Sequence, residues 1–286
     1  MSLQRVGVIG CGTMGAGIAE VAARAGCDVV VTEATEELAA AGEARVRRSL
    51  ERAQKAGKVD DQQLQATLAR VSYTSDLGAL AGCEIVIEAV PEHEPTKRAV
   101  LAAADKILPE GAVLASNTSS IPITRLAMAT SRPERVLGMH FFNPVPVLPL
   151  VELVTSVRTG PDVARKALEF AAGQLGKTVV RSKDRAGFIV NALLVPYLLE
   201  AVRMLDAGVA SAPDIDVAME KGCALPMGPL KLADFIGLDT LKLISDCLYQ
   251  EFKDPVYVAP PLLLRMVEAG WFGRKSGRGF YDYGQG

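Results

Sequence analysis

Short apolar runs rich in Val and Ile alternate with alanine-rich stretches over the first two thirds of the chain. The apolar runs have the length and composition of buried strands, and several of the stretches between them have the spacing of amphipathic helices. The predicted strands cover residues 5–9, 28–32, 84–90, 112–116, 136–141, 149–154 and 177–181. The predicted helices between them include residues 15–25, 36–56 and 162–175. Apolar strands joined by helices predict a doubly wound, mostly parallel sheet with helices on both faces.

The pattern changes about two thirds of the way along the chain, where apolar residues begin to recur at helical spacing and no further strand is predicted. Ser211 and Asp214 are typical of a helix start, and residues 226–229 (PMGP) predict a turn. The helices predicted here cover residues 188–205, 215–221, 239–251 and 261–269. We therefore predict an α/β domain over residues 1–184 and a smaller all-α domain over residues 185–286.

Composition and charge narrow the class of protein. The 286 residues are 49% hydrophobic and 22% charged, which is typical of a globular protein. A formal net charge of −2 favours neither nucleic acid nor an anionic membrane as a partner, so a phosphate-bearing ligand must be held by local charge. The five cysteines include no CxxC pair, which indicates free thiols and neither disulfides nor a metal site. Because no apolar signal region opens the chain and the apolar residues 188–202 are too few to cross a bilayer, we expect a cytoplasmic protein.

A glycine-rich motif follows the first predicted strand and opens the first predicted helix. Residues 10–15 (GCGTMG) match the pattern GxGxxG. In such a turn Gly10 permits the tight bend, Gly12 lets the backbone approach a pyrophosphate, and Gly15 allows the helix to pack closely on the strand. The N–H groups at the start of the helix favour an anion. The motif predicts a Rossmann-type dinucleotide site with contacts from Gly10, Gly12, Thr13, Met14 and Gly15.

An acidic residue ends the second predicted strand. Glu33 follows the glycines at about the twenty-residue distance at which this fold places a carboxylate on the ribose of NAD. The same carboxylate repels the additional phosphate of NADP, and no arginine follows at once to offset that repulsion. We therefore expect NAD in preference to NADP. A helix cap is the alternative role for Glu33.

Polar residues also follow two later strands of the predicted sheet. Residues 116–120 (SNTSS) come directly after one strand, and His140, one of two histidines, lies at the end of the next. In open α/β sheets ligands bind at this carboxyl edge, although the SNTSS segment alone is equally typical of a simple loop. Glu152 follows on another apolar strand, where a buried carboxylate needs a partner. A histidine and a carboxylate beside a dinucleotide site predict a general base and the group that orients it.

Five motifs in order give the chain a resemblance to a known family. They are residues 116–120 (SNTSS), 138–149 (GMHFFNPVPVLP), 187–197 (GFIVNALLVPY), 226–229 (PMGP) and 273–281 (GRKSGRGFY). Over essentially its whole length the chain resembles the 3-hydroxyacyl-CoA dehydrogenase family, and among its members the stand-alone bacterial 3-hydroxybutyryl-CoA dehydrogenases.

The resemblance implies roles for several residues. His140 matches the family's general base and Glu152 its partner. Ser119 matches a serine that contacts the C3 oxygen of the substrate and the nicotinamide region, and Asn191 matches an asparagine that reaches the substrate from the C-terminal domain. The resemblance also implies cofactor contacts from Glu92, Lys97 and Lys275.

The resemblance further implies a coenzyme A contact from Ser49. The lysine that the family carries seven residues later is absent, because that position is Ala56; Lys55 or Lys58 would substitute. Residues 45–58 support a phosphate-binding role independently, because they hold six basic residues against one acidic residue. A solvated helix face is the alternative interpretation of this charge. The basic residues are Arg45, Arg47, Arg48, Arg52, Lys55 and Lys58.

The implied reaction interconverts (3S)-3-hydroxyacyl-CoA, with 3-hydroxybutyryl-CoA as the expected substrate, and 3-oxoacyl-CoA with NAD and NADH, in fatty-acid or short-chain acyl-CoA metabolism. The alternatives are a dehydrogenase of a dicarboxyl-CoA or sugar acid, or a non-catalytic NAD-binding structural protein. The helices predicted over residues 188–205 and 261–269 are more apolar than solvated helices, so we expect a homodimer built on the C-terminal domain.

Overall fold

The computed structural model describes residues 3–284, which divide into two compact units that meet between Arg185 and Ala186. The first unit contains an eight-stranded sheet in the order β3-β2-β1-β4-β5-β6-β7-β8. All neighbouring strands are parallel except β6 and β7. The strands are β1 (Arg5–Ile9), β2 (Asp28–Thr32), β3 (Val71–Thr74), β4 (Ile85–Glu88), β5 (Val113–Ser116), β6 (Val136–Phe141), β7 (Leu150–Thr155) and β8 (Thr178–Lys183).

The seven strands predicted from the apolar runs are all present, and the prediction of a mostly parallel, doubly wound sheet is confirmed. The predicted set lacks β3. Val71–Thr74 contains four residues, three of them with hydroxyl-bearing side chains, lies at the edge of the sheet and is only partly buried. A short edge strand of this kind carries too little apolar signal to stand out in the sequence.

Six α-helices connect these strands. Local capping fixes two of the helix starts: Thr35 accepts a hydrogen bond from Leu38 N, and Asp60 forms a capping box with Gln63. The helices are α1 (Thr13–Arg24), α2 (Glu36–Lys55), α3 (Asp61–Ala69), α4 (Glu94–Ile107), α5 (Ile123–Ala127) and α6 (Pro161–Leu168), with a π-helical turn at Glu169–Gln174 and 3₁₀ turns at Leu77–Gly82 and Pro133–Arg135.

The strand order determines where a ligand can bind. The connection after β1 leads to β2 on one side, and the chain then crosses back so that β4 lies on the other side of β1. A crevice therefore opens at the carboxyl ends of β1 and β4, the position at which doubly wound sheets bind dinucleotides. The strands beneath the crevice are apolar and inaccessible to solvent, as Val8, Ile87 and Ala115 illustrate. Their packing supports the polar residues at the strand ends.

The second unit is helical, with helices α7 (Val190–Asp206), α8 (Ala212–Gly222), α9 (Pro229–Ile236), α10 (Leu238–Phe252) and α11 (Pro261–Glu268) and 3₁₀ turns at Pro255–Tyr257 and Arg274–Ser276. The first of these helices begins at Val190 and not at Phe188, because Gly187 and Phe188 both have positive φ angles of 75° and 48°. The unit has its own core, in which Leu198, Leu241 and Leu263 are buried.

Two buried carboxylates attach the C-terminal segment to this helical unit. Asp234 accepts hydrogen bonds from the backbone N–H groups of Phe280 and Tyr281 and from the Tyr283 hydroxyl. Asp216 accepts from the Tyr281 hydroxyl at 2.7 Å. Because buried carboxylates need such partners, these bonds explain why the motif at residues 273–281 is structural in this unit.

Over residues 3–284, no helix is both long and apolar enough to cross a membrane. In the same range, no group of three or more His, Cys, Asp and Glu side chains could hold a metal ion.

Candidate active site

The glycine motif forms the turn between β1 and α1. Gly10 has a φ angle of 88°, and a Cβ atom on Gly15 would lie 1.8 Å from the Gly10 carbonyl oxygen. At Gly12, by contrast, no heavy atom of the described chain apart from Gly12 and its two neighbours lies within 4 Å of the position of a Cβ atom. The three glycines therefore meet three different needs, namely a left-handed turn, close packing and open space for a ligand.

The start of α1 suits a pyrophosphate. Gly12 occupies the N-cap position, and the first turn contains no acidic side chain to compete for the N–H groups. Those N–H groups and the positive end of the helix dipole favour an anion. Thr13 is exposed and Met14 half-buried at this end, so both are accessible beside the turn. The residues present thus fit a dinucleotide phosphate.

Glu33 lies against the glycine turn. Its carboxylate accepts hydrogen bonds from Cys11 N at 2.5 Å and from Ala34 N at 3.3 Å, and its side chain is half-buried. The carboxylate is therefore close to the pyrophosphate position, as a ribose contact requires. Burial, together with the Glu33 charge, raises the pKa of Cys11 to about 12, so this thiol stays neutral and packs in the core.

His140 and Glu152 form a buried pair. They are direct cross-strand neighbours in the antiparallel pairing of β6 with β7. His140 Nδ1 lies 2.7 Å from Glu152 Oε2, and the two side chains are 8% and 0% exposed. The two side chains that the sequence predicts to meet are therefore in hydrogen-bond contact, in a setting where water cannot weaken it.

Two further contacts hold the histidine strand in place. The Phe142 ring packs against the His140 imidazole with 4.5 Å between ring centroids, which limits rotation of the imidazole. Asn117 Oδ1 accepts a hydrogen bond from Phe141 N at 2.9 Å and so ties the end of β5 to the end of β6. Asn117 is therefore a positioning residue, which the sequence does not distinguish from the other small polar residues of 116–120.

Glu92 organises the polar loop that follows β5. Its Oε1 atom accepts hydrogen bonds from Ser119 N at 3.0 Å, from Ser120 N at 3.2 Å and from Ser120 Oγ at 3.0 Å. The Thr118 hydroxyl donates to the same oxygen. Burial opposes ionisation of Glu92, but the Lys97 charge and these hydrogen bonds outweigh it and hold the pKa of Glu92 below its ordinary value. Glu92 is therefore ionised and fixes Ser119, which stays half-buried at the sheet edge.

A buried charge cluster lies beneath that loop. Lys97 is 1% exposed, and its Nζ atom donates to Glu88 Oε1 at 2.7 Å and lies 3.3 Å from Glu92 Oε2. Glu88, at the end of β4, also accepts hydrogen bonds from Ser116 Oγ at 2.6 Å and from Val90 N at 2.7 Å. The resemblance implies a cofactor contact from Lys97, and that contact stays a prediction; within the chain its ammonium group pairs with the two carboxylates. Glu88 is not among the site residues predicted from the sequence, although a charge inside an apolar strand indicates a buried partner.

The two predicted coenzyme A contacts, Ser49 and Lys55, lie on different faces of the basic helix α2. Ser49 is half-buried beside the buried Glu20 of α1, and Lys55 is exposed. Six residues at 3.6 residues per turn place Lys55 about 120° around the helix from Ser49. Arg52 lies three residues after Ser49 and shares its face. Burial raises the pKa of Glu20, while Ser49 and nearby guanidinium groups, including that of Arg52, act in the opposite direction.

Asn191 and Lys275 belong to the second unit. Asn191 lies in the first turn of α7 and is 9% exposed. Lys275 is half-exposed in the 3₁₀ turn near the C-terminus, where its Nζ atom lies 2.6 Å from Asp239 Oδ2. Their roles toward substrate and cofactor stay predictions.

Comparison with known proteins finds the same protein family for both units. Residues 5–185 match the family model of the 3-hydroxyacyl-CoA dehydrogenase NAD binding domain, and residues 187–283 match the C-terminal domain of the same family. The chain is 57% identical over 283 residues to a 3-hydroxybutyryl-CoA dehydrogenase of Mycobacterium tuberculosis, with 99% of each chain covered.

Two crystal structures show the same similarity. FadB2 of M. tuberculosis has a TM-score of 0.98 and 56% identity, over 99% of this chain and 100% of that one. The (S)-3-hydroxybutyryl-CoA dehydrogenase PaaH1 of Ralstonia eutropha has a TM-score of 0.94 and 44% identity, with the same coverage. The NAD-binding motif, the buried His–Glu pair and these matches agree: the chain belongs to the 3-hydroxyacyl-CoA dehydrogenase family.

Proposed function

We propose that the protein is an NAD-dependent dehydrogenase that interconverts (3S)-3-hydroxyacyl-CoA and 3-oxoacyl-CoA, with 3-hydroxybutyryl-CoA as a substrate. The observation that carries the proposal is the buried contact of 2.7 Å between His140 and Glu152 at the sheet edge that bears the glycine turn. The names of the relatives supply the substrate class, and one of them specifies the S stereochemistry.

His140 is the proposed general base. Because its Nδ1 atom is paired with Glu152, the imidazole holds its proton there and Nε2 is the basic nitrogen. Nε2 removes the proton of the substrate's 3-hydroxyl in oxidation and returns a proton to the carbonyl oxygen in reduction. Glu152 keeps the tautomer fixed and stabilises the imidazolium that forms. NAD, when bound, supplies the redox chemistry by accepting hydride.

The remaining site residues act by positioning. The glycine turn and Thr13 and Met14 are proposed to hold the pyrophosphate, and Glu33 the adenosine ribose. Ser119, held by Glu92, and Asn191 are proposed to orient the reacting oxygens of the substrate, which lowers the entropic cost of reaction.

Several finer points belong to the same proposal. The first unit is the NAD-binding domain, and the second contributes substrate contacts and the interface of a homodimer, supported by exposed apolar residues on its helices such as Leu193 and Val217. Lys275 is proposed as a cofactor contact and Ser49 as a coenzyme A contact. The protein is proposed to act in the cytoplasm, in fatty-acid or short-chain acyl-CoA metabolism.

A substrate panel tests the proposal. The purified protein is assayed with acetoacetyl-CoA, longer 3-oxoacyl-CoA thioesters and the corresponding free acids, each with NADH, by the loss of nicotinamide absorbance. We expect turnover of the thioesters and little turnover of the free acids. Turnover of free acids alone would favour the sugar-acid alternative, and NADH binding without any turnover would favour the non-catalytic one.

A further inference from the structure

Three ionised side chains lie together at the carboxyl ends of β4 and β5. Lys97 is placed between two carboxylates, with Glu88 Oε1 at 2.7 Å and Glu92 Oε2 at 3.3 Å. Two carboxylates and one ammonium group leave this cluster with one net negative charge. Lys97 and Glu88 are almost completely buried, so solvent screens their charges poorly.

The hydrogen bonds of the cluster support two ionised carboxylates. Glu88 accepts from Lys97, Val90 N and the Ser116 hydroxyl, and both of its oxygens are used as acceptors. Glu92 accepts all of the loop's donors through Oε1 while Oε2 faces Lys97. When all the hydrogen-bond partners of a carboxyl group are donors, they favour its charged form.

The topology places this charge at one end of the dinucleotide crevice. The glycine turn after β1 takes the pyrophosphate, and Glu33 after β2 marks the adenosine end. A dinucleotide that spans the switch point therefore directs its nicotinamide end toward β4 and β5, where the cluster lies. The nicotinamide ring carries a positive charge in NAD⁺ and none in NADH.

We propose that Glu88, Lys97 and Glu92 form an electrostatic selector whose net negative charge favours binding of NAD⁺ relative to NADH. The inference rests on the proposed NAD site and assigns Glu88, which is completely buried at the end of β4, as a positioning residue for the charge. The same preference shifts the equilibrium on the enzyme toward the oxidised cofactor, and hence toward reduction of 3-oxoacyl-CoA.

Each of two isosteric substitutions removes one negative charge and keeps the hydrogen bonds that the Oε1 atom of the carboxylate accepts. In Glu88→Gln the amide oxygen still accepts from Lys97 and Val90 N, and the Ser116 hydroxyl can reverse to accept from the amide nitrogen. In Glu92→Gln the amide oxygen still accepts from the Ser119 and Ser120 N–H groups. Glu94→Gln is the matched control, because Glu94 is on the same helix but pairs with Arg98 and Arg125 at the partly exposed surface.

The test is calorimetric titration of the whole protein with NAD⁺ and, separately, NADH. Charges about 10 Å apart at an effective dielectric constant of about 20 change a binding constant by about tenfold. We therefore expect the ratio of Kd for NAD⁺ to Kd for NADH to rise by about tenfold in Glu88→Gln and in Glu92→Gln, and to stay unchanged in Glu94→Gln.

An unchanged ratio in a Glu92→Gln protein that binds both nucleotides would overturn the inference. Because Glu92 is partly exposed, that variant remains a test even where Glu88→Gln fails to fold. A similar rise in the ratio in Glu94→Gln would also overturn it, since that result would assign the effect to general surface charge. If the unsubstituted protein bound neither nucleotide, the proposed function itself would fail together with the inference.

Discussion

Replacement of Glu152 by glutamine removes the charge beside His140 and keeps the shape of the side chain. The amide oxygen of Glu152→Gln can still accept the Nδ1 proton, so the imidazole keeps its orientation and tautomer. The variant loses the counter-charge of the imidazolium that forms when the substrate proton is removed. Charges about 4 Å apart at an effective dielectric constant of about 20 interact by about 4 kcal/mol. Since each 1.4 kcal/mol is about tenfold in rate, we expect kcat to fall by about 10²–10³.

The same substitution affects stability. Glu152 is completely buried, and the amide nitrogen of the variant needs an acceptor that a carboxylate does not. An unsatisfied buried group of this kind costs about 1–3 kcal/mol, so thermal unfolding should shift downward. Steady-state kinetics of 3-hydroxybutyryl-CoA oxidation, corrected for the folded fraction from circular dichroism, separate the two effects.

Asp105→Asn is the matched control for that experiment. Asp105 is also buried, and it pairs with Arg135 at 2.7 Å in a cluster that includes none of the proposed site residues. Its neutralisation should lower stability and leave the kcat of the folded enzyme nearly unchanged. A folded Glu152→Gln enzyme that lost less than about tenfold in kcat would refute the electrostatic argument. So would fully additive losses in a His140→Gln, Glu152→Gln double variant, because residues that act as a unit are not additive.

Three other predictions concern ligand binding. The catalytic efficiency with NADH should exceed that with NADPH by at least about tenfold, and Glu33→Gln should reduce this preference; equal efficiencies in the unsubstituted enzyme would show that Glu33 is not at the ribose. Gly15→Ala should destabilise the fold by about 3 kcal/mol because its Cβ atom collides with the Gly10 carbonyl, which thermal melts would show. Gly12→Ala, by contrast, should fold normally and weaken NADH binding, which titration would show. If Arg52 is the phosphate contact, Arg52→Gln should raise the KM for acetoacetyl-CoA by about tenfold and Lys55→Gln should change it little; the opposite order would identify Lys55 as the contact.

Most of the sheet follows from the sequence because its strands are buried on both faces. Mostly apolar runs give β1, β2 and β6 their correct limits, and a partly polar edge strand such as β3 gives no comparable signal. The glycine motif could be interpreted because its neighbours, a strand before it and a helix after it, are themselves predictable from the pattern.

The site is only partly predictable because its contacts depend on register. The pairing of His140 with Glu152 requires β6 and β7 to be antiparallel and aligned residue for residue, and neither property can be read from the apolar pattern. The apolar pattern does not identify Glu88 as a site residue, because the hydrophobicity of the surrounding run dominates the prediction. Its partner Lys97 is nine residues away on a helix. Position in the sequence predicts Lys55 as the coenzyme A contact, and helical geometry adds Arg52 as a second candidate on the face of Ser49.

The most direct test of His140 as the general base is the rate of 3-hydroxybutyryl-CoA oxidation by a His140→Gln enzyme, measured beside its affinity for NADH. If His140 is the base that takes the hydroxyl proton, kcat should fall by about 10²–10⁴ while NADH binding stays nearly intact. A His140→Gln enzyme that bound NADH and oxidised 3-hydroxybutyryl-CoA at a near-normal rate would contradict the assignment of His140 as the general base.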